Sequence, residues 1–167
     1  MTRERIYNKQ TKLAAMASLL MLAAAEALAE QQDPVRRIAI SIPDRKLAYL
    51  ENGEVVKVYP VAVGADATPS PTGVFKIANR LVDPTWYGPK QIVAPGKSNP
   101  LGTRWMGLSR TGFGIHGTNN QNSVGHNVSH GCIRMRKADV EELFSLVNIG
   151  DEVEIHGEKE QAAVAAE

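Results

Sequence analysis

The sequence predicts a small, mainly β domain with one short helix, built as a curled sheet or as a β-sandwich. Apolar and polar residues alternate from Arg36 to Ile42, which is the pattern of a half-buried strand. Asn52-Gly53 separates two further strand-like segments and is a strong signal for a hairpin turn. One segment, Lys137 to Val147, carries apolar residues at helical spacing. The chain has 167 residues, which suits a single domain.

Turn residues divide the rest of the chain into short strands. The predicted strands after Ile42 are Leu47 to Leu50, Val55 to Val63, Val74 to Val82, Arg104 to Leu108, Phe113 to His116 and Glu152 to Ile155. Between Asp83 and Gly102, four prolines and three glycines predict a long irregular loop. A loop of this length inside a compact domain is commonly functional or mobile.

The predicted helix follows the cysteine and presents a single apolar stripe. The stripe consists of Val140, Leu143, Phe144 and Val147. Acidic residues near the start of the helix suit the positive end of its dipole, and Gly150 is placed to end it. We interpret the stripe as core packing rather than as a site for a partner.

Residues 1–29 are predicted to be a signal peptide. Four basic residues precede an uncharged apolar run of 13 residues, Leu13 to Ala25, and Ala27-Leu28-Ala29 gives a small-x-small cleavage site. Thirteen helical residues reach about 20 Å, which is short of a hydrocarbon core of about 30 Å. A short membrane anchor or a buried helix is the alternative. The sequence therefore predicts export to the periplasm or cell wall, with no stable membrane insertion after cleavage.

The charge balance argues against a nucleic-acid partner. The chain has a formal net charge of +1, without the basic surface that nucleic-acid binding requires. Cleavage would remove four basic and two acidic residues, so the mature chain would carry −1 and would not be attracted to anionic lipid. Residues 157–167 are rich in Ala, Glu and Gln and are predicted to form a flexible C-terminal tail.

Cys132 is the only cysteine of the chain, so no internal disulfide can form. An unpaired thiol in an oxidising compartment is a liability unless it has a use. The alternative is a buried cysteine that packs as a small hydrophobic residue. The neighbours of Cys132 favour chemistry, because the segment from His116 to Cys132 contains three of the four histidines.

This segment supplies the parts of a cysteine-nucleophile site. A free thiol has a pKa of about 8.5 and is only a few per cent ionised at neutral pH, so it needs a base. His130 would share a strand face with Cys132, whereas His116 ends a separate predicted strand, and either imidazole could serve. Neighbouring glycines would let a substrate carbonyl approach the backbone N–H groups that stabilise an oxyanion. Spacing alone does not choose between the two histidines.

A metal site is the rival chemical interpretation. Its four possible ligands are His116, His126, His130 and Cys132. His126 and His130 have the i, i+4 spacing of helical zinc ligands. The residues between them, Asn127 to Ser129, are poor helix formers, and Gly131 follows at once. No Cys-x-x-Cys or His-Glu-x-x-His pattern is present, so the sequence predicts no metal and no cofactor.

The residues around Cys132 resemble the catalytic motif of the L,D-transpeptidase domain, the YkuD family. That motif is a His-Gly pair, a gap of somewhat over a dozen residues, then Ser/Thr-His-Gly-Cys, a hydrophobic residue and Arg or Asn. The matching residues here are His116-Gly117 and Ser129-His130-Gly131-Cys132-Ile133-Arg134. Two upstream stretches, Pro71 to Phe75 and Asn99 to Gly102, are also similar to the family. The resemblance covers about Arg36 to Ile155 and predicts a catalytic domain at residues 35–156.

The resemblance implies a fold and the catalytic roles. The implied fold is a β-sandwich or curled sheet with a small helix, and the cysteine lies at one end of the sheet. Cys132 is the implied nucleophile and His116 its base, while the backbone carbonyl of Gly117 orients the imidazole. His130 is expected to shape the site. The N–H groups around Gly131 and Cys132 are expected to form the oxyanion hole.

The resemblance also implies a substrate, the stem peptides of peptidoglycan. Arg134 is expected to hold a substrate carboxylate, and Ser129 is placed with it in the predicted substrate-binding set. A surface arginine near the following helix is the alternative for Arg134. The reaction implied is transpeptidation to a second stem peptide or to an outer-membrane lipoprotein. Carboxypeptidase or D-amino-acid exchange activity, and a non-catalytic wall-binding domain with a relic motif, are the other hypotheses.

Overall fold

The computed structural model describes residues 33–158 of the chain. The predicted signal peptide and nearly all of the predicted tail lie outside the described residues. The regular elements in the described part, in chain order, are β1 (Arg36–Ser41), β2 (Lys46–Glu51), β3 (Glu54–Pro60), β4 (Val63–Gly64), β5 (Gly73–Val82), β6 (Trp86–Tyr87), β7 (Ile92–Val93), β8 (Arg104–Leu108), β9 (Gly114–His116), a 3-10 turn (Gln121–Ser123), β10 (Asn127–Ser129), β11 (Ile133–Arg134), α1 (Lys137–Leu146) and β12 (Glu152–His156). Within residues 33–158, no helix has the length and apolar character needed to span a bilayer.

The main sheet is curled. Eight strands follow the order β11-β9-β8-β5-β12-β1-β2-β3. Ala62 follows the edge strand β3, yet it exchanges backbone hydrogen bonds of 2.8 and 2.9 Å with Arg134 of β11, the opposite edge strand. The sheet therefore bends until its two edges are nearly joined. The mainly β class is confirmed, and of the two predicted architectures the structure has the curled sheet.

The predicted hairpin at Asn52-Gly53 is confirmed. β2 and β3 pair antiparallel across these two residues. Asn52 has a φ of 51° and Gly53 a φ of 87°, and a type I′ turn requires positive φ at both central positions. The Oδ1 of Asn52 also accepts a 3.0 Å hydrogen bond from the N–H of Val35, which joins the turn to the start of β1.

Three parts of the strand prediction differ from the structure. His130 and Cys132, expected on one strand face, lie in the turn between β10 and β11. The segment Val55 to Val63 is two strands rather than one, because the chain leaves β3 at Pro60 and turns inward, where Val61 is fully buried. The loop predicted from Asp83 to Gly102 contains a small hairpin of its own, in which Trp86 of β6 pairs with Val93 of β7. The other predicted strands and the helix are confirmed, and no end is shifted by more than one residue.

The hydrophobic core lies between the inner face of the sheet and α1. Met106, Ile115 and Ile133 come from three neighbouring strands, and each is at most 1% exposed. Val140 and Leu143 of α1 belong to the same buried cluster. The apolar stripe of the helix is therefore core packing, as predicted.

Side chains alternate along a strand, so the neighbours of these core residues point to the opposite side of the sheet. We call this side, at β8, β9 and β11, the outer face. Trp105 of β8 and Arg134 of β11 are both paired in register with His116 of β9. The outer face therefore brings together residues that are far apart in the sequence.

Candidate active site

The register of β9 and β11 brings the cysteine and the predicted base to one face. Ile133 pairs with Ile115 and Arg134 with His116, in parallel orientation. Extending this register by one residue puts Cys132 beside Gly114. Because the side-chain period of a strand is two, Cys132 then shares the outer face with His116. Cys132 lies directly before β11 and His116 is the last residue of β9, so the two are diagonal neighbours, two positions apart in the register.

His116 is buried, with 4% of its surface exposed, and its ring is held in one tautomer. Its Nδ1 lies 2.6 Å from the carbonyl oxygen of Gly117, so the N–H at Nδ1 donates to that oxygen. Nε2 is then left as a proton acceptor. Burial lowers the pKa of His116 to about 4, opposed by the Gly117 hydrogen bond and reinforced by the Arg134 guanidinium. The resting imidazole is therefore neutral at pH 7.

A close backbone contact holds the Gly117 carbonyl in place. Gly102 has a φ of 65°, and a Cβ at this position would lie 2.8 Å from the backbone nitrogen of Thr118. The N–H of Gly117 donates to the carbonyl of Arg104 at 3.2 Å. Only a residue without a side chain fits between the end of the long loop and the strand that carries His116.

Cys132 is half-buried and its thiol contacts backbone groups. The Sγ lies 3.6 Å from the carbonyl oxygen of Gly112. Burial raises the pKa of the Cys132 thiol, whereas a hydrogen bond from the backbone of Gly114 and the positive charge of Arg134 lower it. Burial is the largest of these effects, so the resting thiol is protonated and needs a base to become nucleophilic.

The turn before Cys132 is organised by Ser129. Its buried hydroxyl donates to the carbonyl of Cys132 at 2.6 Å and accepts from the N–H of Gly131 at 3.0 Å. Gly131 has a φ of 104°, and a Cβ there would lie 2.6 Å from the ring of Phe113. The hydroxyl of Ser129 is thus committed to the turn, and the N–H of Gly131 already has an acceptor. The structure gives Ser129 a role in shaping the loop that presents the thiol.

The other two histidines of the segment lie at the surface. The side chain of His130 is exposed, although the residue is only two positions from Cys132. His126 is also exposed. Among residues 33–158, no group of three or more His, Cys, Asp and Glu side chains is arranged to hold a metal ion.

Trp105 contacts the predicted base, a role that no local pattern in the sequence indicates. Its ring stacks on His116, with centroids 5.7 Å apart and an interplanar angle of 26°. The indole Nε1–H donates a 2.9 Å hydrogen bond to the Oδ1 of Asn79 on β5. A Cβ at Gly114 would lie 2.6 Å from this indole, so the glycine makes room for the ring. A glycine two residues before His116 indicates that a large side chain from a neighbouring strand could lie there. Only the pairing of β8 with β9 shows that this side chain is Trp105.

The long loop is tied together by one buried amide. The Nδ2 of Asn99 lies 2.8, 3.1 and 3.2 Å from the carbonyl oxygens of Pro84, Val93 and Ala94, and its Oδ1 accepts from the N–H of Leu101. A cavity of about 450 Å³ lies next to Asn99 and opens beside Gly117. Its lining includes Lys97 and Lys137 and no acidic residue.

Cys132 beside β11 and the oriented, neutral imidazole of His116 on β9 form an arrangement suited to a cysteine nucleophile. The model of the L,D-transpeptidase catalytic domain, YkuD, matches residues 35–155. The chain belongs to this family.

Comparison with individual proteins agrees with this assignment. The chain is 44% identical over 119 residues to the Bacillus licheniformis protein YkuD, which bears the name of an L,D-transpeptidase. The match covers 71% of this chain, and the chain spans 64% of the length of that relative. The crystallised L,D-transpeptidase of Enterococcus faecium, a cysteine-to-serine variant, is similar at 27% identity and a TM-score of 0.63, over 72% of this chain and 49% of that one. The L,D-transpeptidase LdtMt1, solved with imipenem, shares the fold at 21% identity and a TM-score of 0.63, over 74% and 59% of the two chains.

Proposed function

We propose that this chain is an exported L,D-transpeptidase that acts on the tetrapeptide stems of peptidoglycan through a thioester on Cys132. The observation that carries the proposal is the arrangement of His116. Its Nδ1 is fixed by the Gly117 carbonyl, so Nε2 is the accepting nitrogen on the face that the single cysteine shares. Membership of the family supports the substrate class.

The acylation step uses His116 first as a base and then as an acid. The Cys132 thiol gives its proton to Nε2 of His116, and Sγ attacks the carbonyl carbon of the third stem residue, a diamino acid. The C–N bond to the terminal D-alanine then breaks. The departing amine takes the proton back from Nε2, and a thioester between Cys132 and the shortened stem remains.

The oxyanion of this step needs backbone donors. The N–H of Gly131 already donates to Ser129, so the N–H of Cys132 is the better candidate of the predicted pair. The left-handed conformation of Gly131 supports this role, since it shapes the turn immediately before the nucleophile. His130, exposed beside the turn, is proposed to shape the entrance.

Charged groups around the site fit an anionic substrate. Arg134 is close enough to both Cys132 and His116 to influence their pKa values, and it is proposed to hold a stem carboxylate there. The cavity beside Gly117 has two lysines and no acid in its lining, which suits further carboxylates of a stem peptide. Domain boundaries at residues 35–156 and a mature chain acting in the periplasm or cell wall are part of the same proposal.

The acceptor decides the product. An amine of a second stem gives a 3→3 cross-link, and an amine of an outer-membrane lipoprotein gives an anchor. Water or a free D-amino acid would resolve the same thioester as a carboxypeptidase or exchange reaction, which is the second candidate. In each case the nucleophile attacks the thioester carbonyl, and the Cys132 thiol is regenerated with a proton returned through His116.

The test is to incubate residues 30–167 with a disaccharide-tetrapeptide and to separate the products by mass. Cross-linked dimers would support transpeptidation, and tripeptide alone would support the carboxypeptidase alternative. Unchanged substrate with a correctly folded protein would contradict both and favour a non-catalytic wall-binding domain. Cys132→Ala removes the nucleophile with little change in volume and should give no product, whereas His126→Gln, on an exposed histidine outside the site, should behave as the unmodified chain.

A further inference from the structure

The imidazole of His116 lies at the end of a short chain of side-chain contacts on the outer face. The ring of Trp105 stacks against it at 5.7 Å between centroids. The far side of the indole is anchored, because Nε1–H donates to the Oδ1 of Asn79 at 2.9 Å. Asn79 comes from β5, Trp105 from β8 and His116 from β9, so three adjacent strands build the contact.

Two glycines make this arrangement possible. A Cβ at Gly107 would lie 2.6 Å from the Oδ1 of Asn79, and a Cβ at Gly114 would lie 2.6 Å from the indole ring. Gly107 and Gly114 pair with each other across β8 and β9. Because these positions have no side chains, the Asn79 amide and the Trp105 indole can pack against the sheet. The indole then reaches His116. The stacking of Trp105 on His116 therefore depends on glycine at both of these positions.

The indole face suits the charged form of the ring it covers. An aromatic ring attracts a cation within about 6 Å of its centroid, and tryptophan does so most strongly. The acid–base cycle of the proposed function requires His116 to hold an extra proton while the sulfur is anionic. The Arg134 guanidinium is the charged group that acts on the imidazole, and the register places the Cys132 thiol on the same face. Arg134 opposes the imidazolium and the Gly117 hydrogen bond favours it, so contact with the indole face would add to the favourable side.

We propose that Trp105, oriented by Asn79, is a positioning residue that stabilises the imidazolium of His116 when the Cys132 thiol transfers its proton. Trp105 acts through the histidine and does not need to contact substrate. The proposal rests on His116 being the base, as in the proposed function, but it does not depend on which acceptor resolves the thioester.

The test measures the rate of Cys132 alkylation by iodoacetamide between pH 5 and pH 10.5, in residues 30–167. At pH 7 the resting pair is a protonated thiol and a neutral imidazole, and the proposed route to the thiolate is transfer of the proton to His116, whereas at pH 10.5 the thiol loses its proton to the solvent beside a neutral imidazole. We expect Trp105→Leu to lower the rate at pH 7 about tenfold and to leave the rate at pH 10.5 unchanged. Trp105→Phe, which keeps an aromatic face, should lose less.

Variants of Asn79 test the orienting bond. Asn79→Leu removes the acceptor and should lower the rate at pH 7 by about twofold to fivefold, and Asn79→Asp, which keeps an acceptor, should restore it. Trp86→Leu is the matched control, since it removes the other tryptophan of the chain. Equal rates at pH 7 in Trp105→Leu and the unmodified chain would overturn the inference, as would an equal loss at both pH values, which indicates a distorted site. Loss of the pH 7 rate in His130→Gln but not in His116→Gln would instead contradict the proposed base.

Discussion

Arg134 lies directly opposite His116 in the parallel register of β9 and β11. Its guanidinium lowers the pKa of that buried imidazole and also that of the Cys132 thiol. The same charge therefore makes the nucleophile easier to ionise and the base harder to protonate. The two effects oppose each other in the transfer of the proton from Cys132 to His116.

Replacing Arg134 should separate these roles. In Arg134→Leu the pKa of Cys132 and that of His116 both rise, so direct ionisation of the thiol at alkaline pH should require a higher pH, while proton transfer to His116 should change little. Loss of a charge-assisted hydrogen bond to a carboxylate should raise KM for the tetrapeptide by about tenfold to a hundredfold. Arg136→Gln is the control, because Arg136 is exposed and its side chain makes no capping hydrogen bond to α1. An unchanged KM in Arg134→Leu would mean that the arginine does not bind substrate.

The two candidate bases should differ sharply when replaced. His116→Gln should remove nearly all acylation, because no other group is positioned by the Gly117 carbonyl to accept the thiol proton. His130→Gln should reduce acylation less, by about a hundredfold to a thousandfold if the residue aids the oxyanion site. The measurement is the pH dependence of Cys132 alkylation in both variants. A thiol that ionises normally in His116→Gln, but not in His130→Gln, would assign the base to His130.

The buried imidazole should also make folding depend on pH. The pKa of His116 is about 4 in the folded protein, against about 6.5 for an unfolded histidine. The stability that the neutral, buried His116 gives the folded protein is fully present above pH 6.5. It is lost as the pH falls towards 4, because only the unfolded chain takes up the proton in that range. The slope is about 1.4 kcal/mol per pH unit, or about 3 kcal/mol over the interval.

Urea unfolding at pH 7 and pH 4.5 checks this expectation. The free energy of unfolding should fall less in His116→Gln than in the unmodified chain, and the difference between the two isolates the histidine from the carboxylates. His126→Gln, which changes an exposed histidine, should follow the unmodified chain. The same pH dependence in all three proteins would show that His116 is not buried in the neutral form.

Carbapenems should form a covalent adduct on Cys132. A strained lactam presents the same kind of carbonyl electrophile as the stem amide, and the thiolate opens the ring to leave a thioester. Intact-mass spectrometry after imipenem treatment should find one addition, absent from Cys132→Ala. An adduct that persists in Cys132→Ala would mean that a lysine or serine reacts instead.

The sequence predicted those features that depend on neighbouring residues. The turn at Asn52-Gly53, the helix from Lys137 and the glycine-flanked cysteine are local patterns, and each is present in the structure. The alternation from Arg36 to Ile42 also predicted the first strand, although Ala39 and Ser41 between its isoleucines are buried as well. Each of these patterns involves residues close together in the sequence, so it can be recognised without knowledge of the tertiary structure.

Features that depend on strand order could not be predicted in this way. Nothing local in the sequence links Trp105 to His116, and only the pairing of β8 with β9 brings the two rings together. The hydroxyl of Ser129 was expected to bind substrate, but its geometry ties it to the backbone of the turn. That substrate contact stays a prediction.

The position of β12 has a consequence for how quickly the chain can become active. This last strand lies inside the sheet, with Ile38 near the start of the domain paired to Val153 near its end. Pairing between such distant residues requires a large loop to close first, which slows folding. An exported chain that crosses the membrane amino end first therefore cannot complete its sheet until the final residues have emerged. Under the proposed export, the sheet that carries His116 would be completed only after β12 has crossed the membrane.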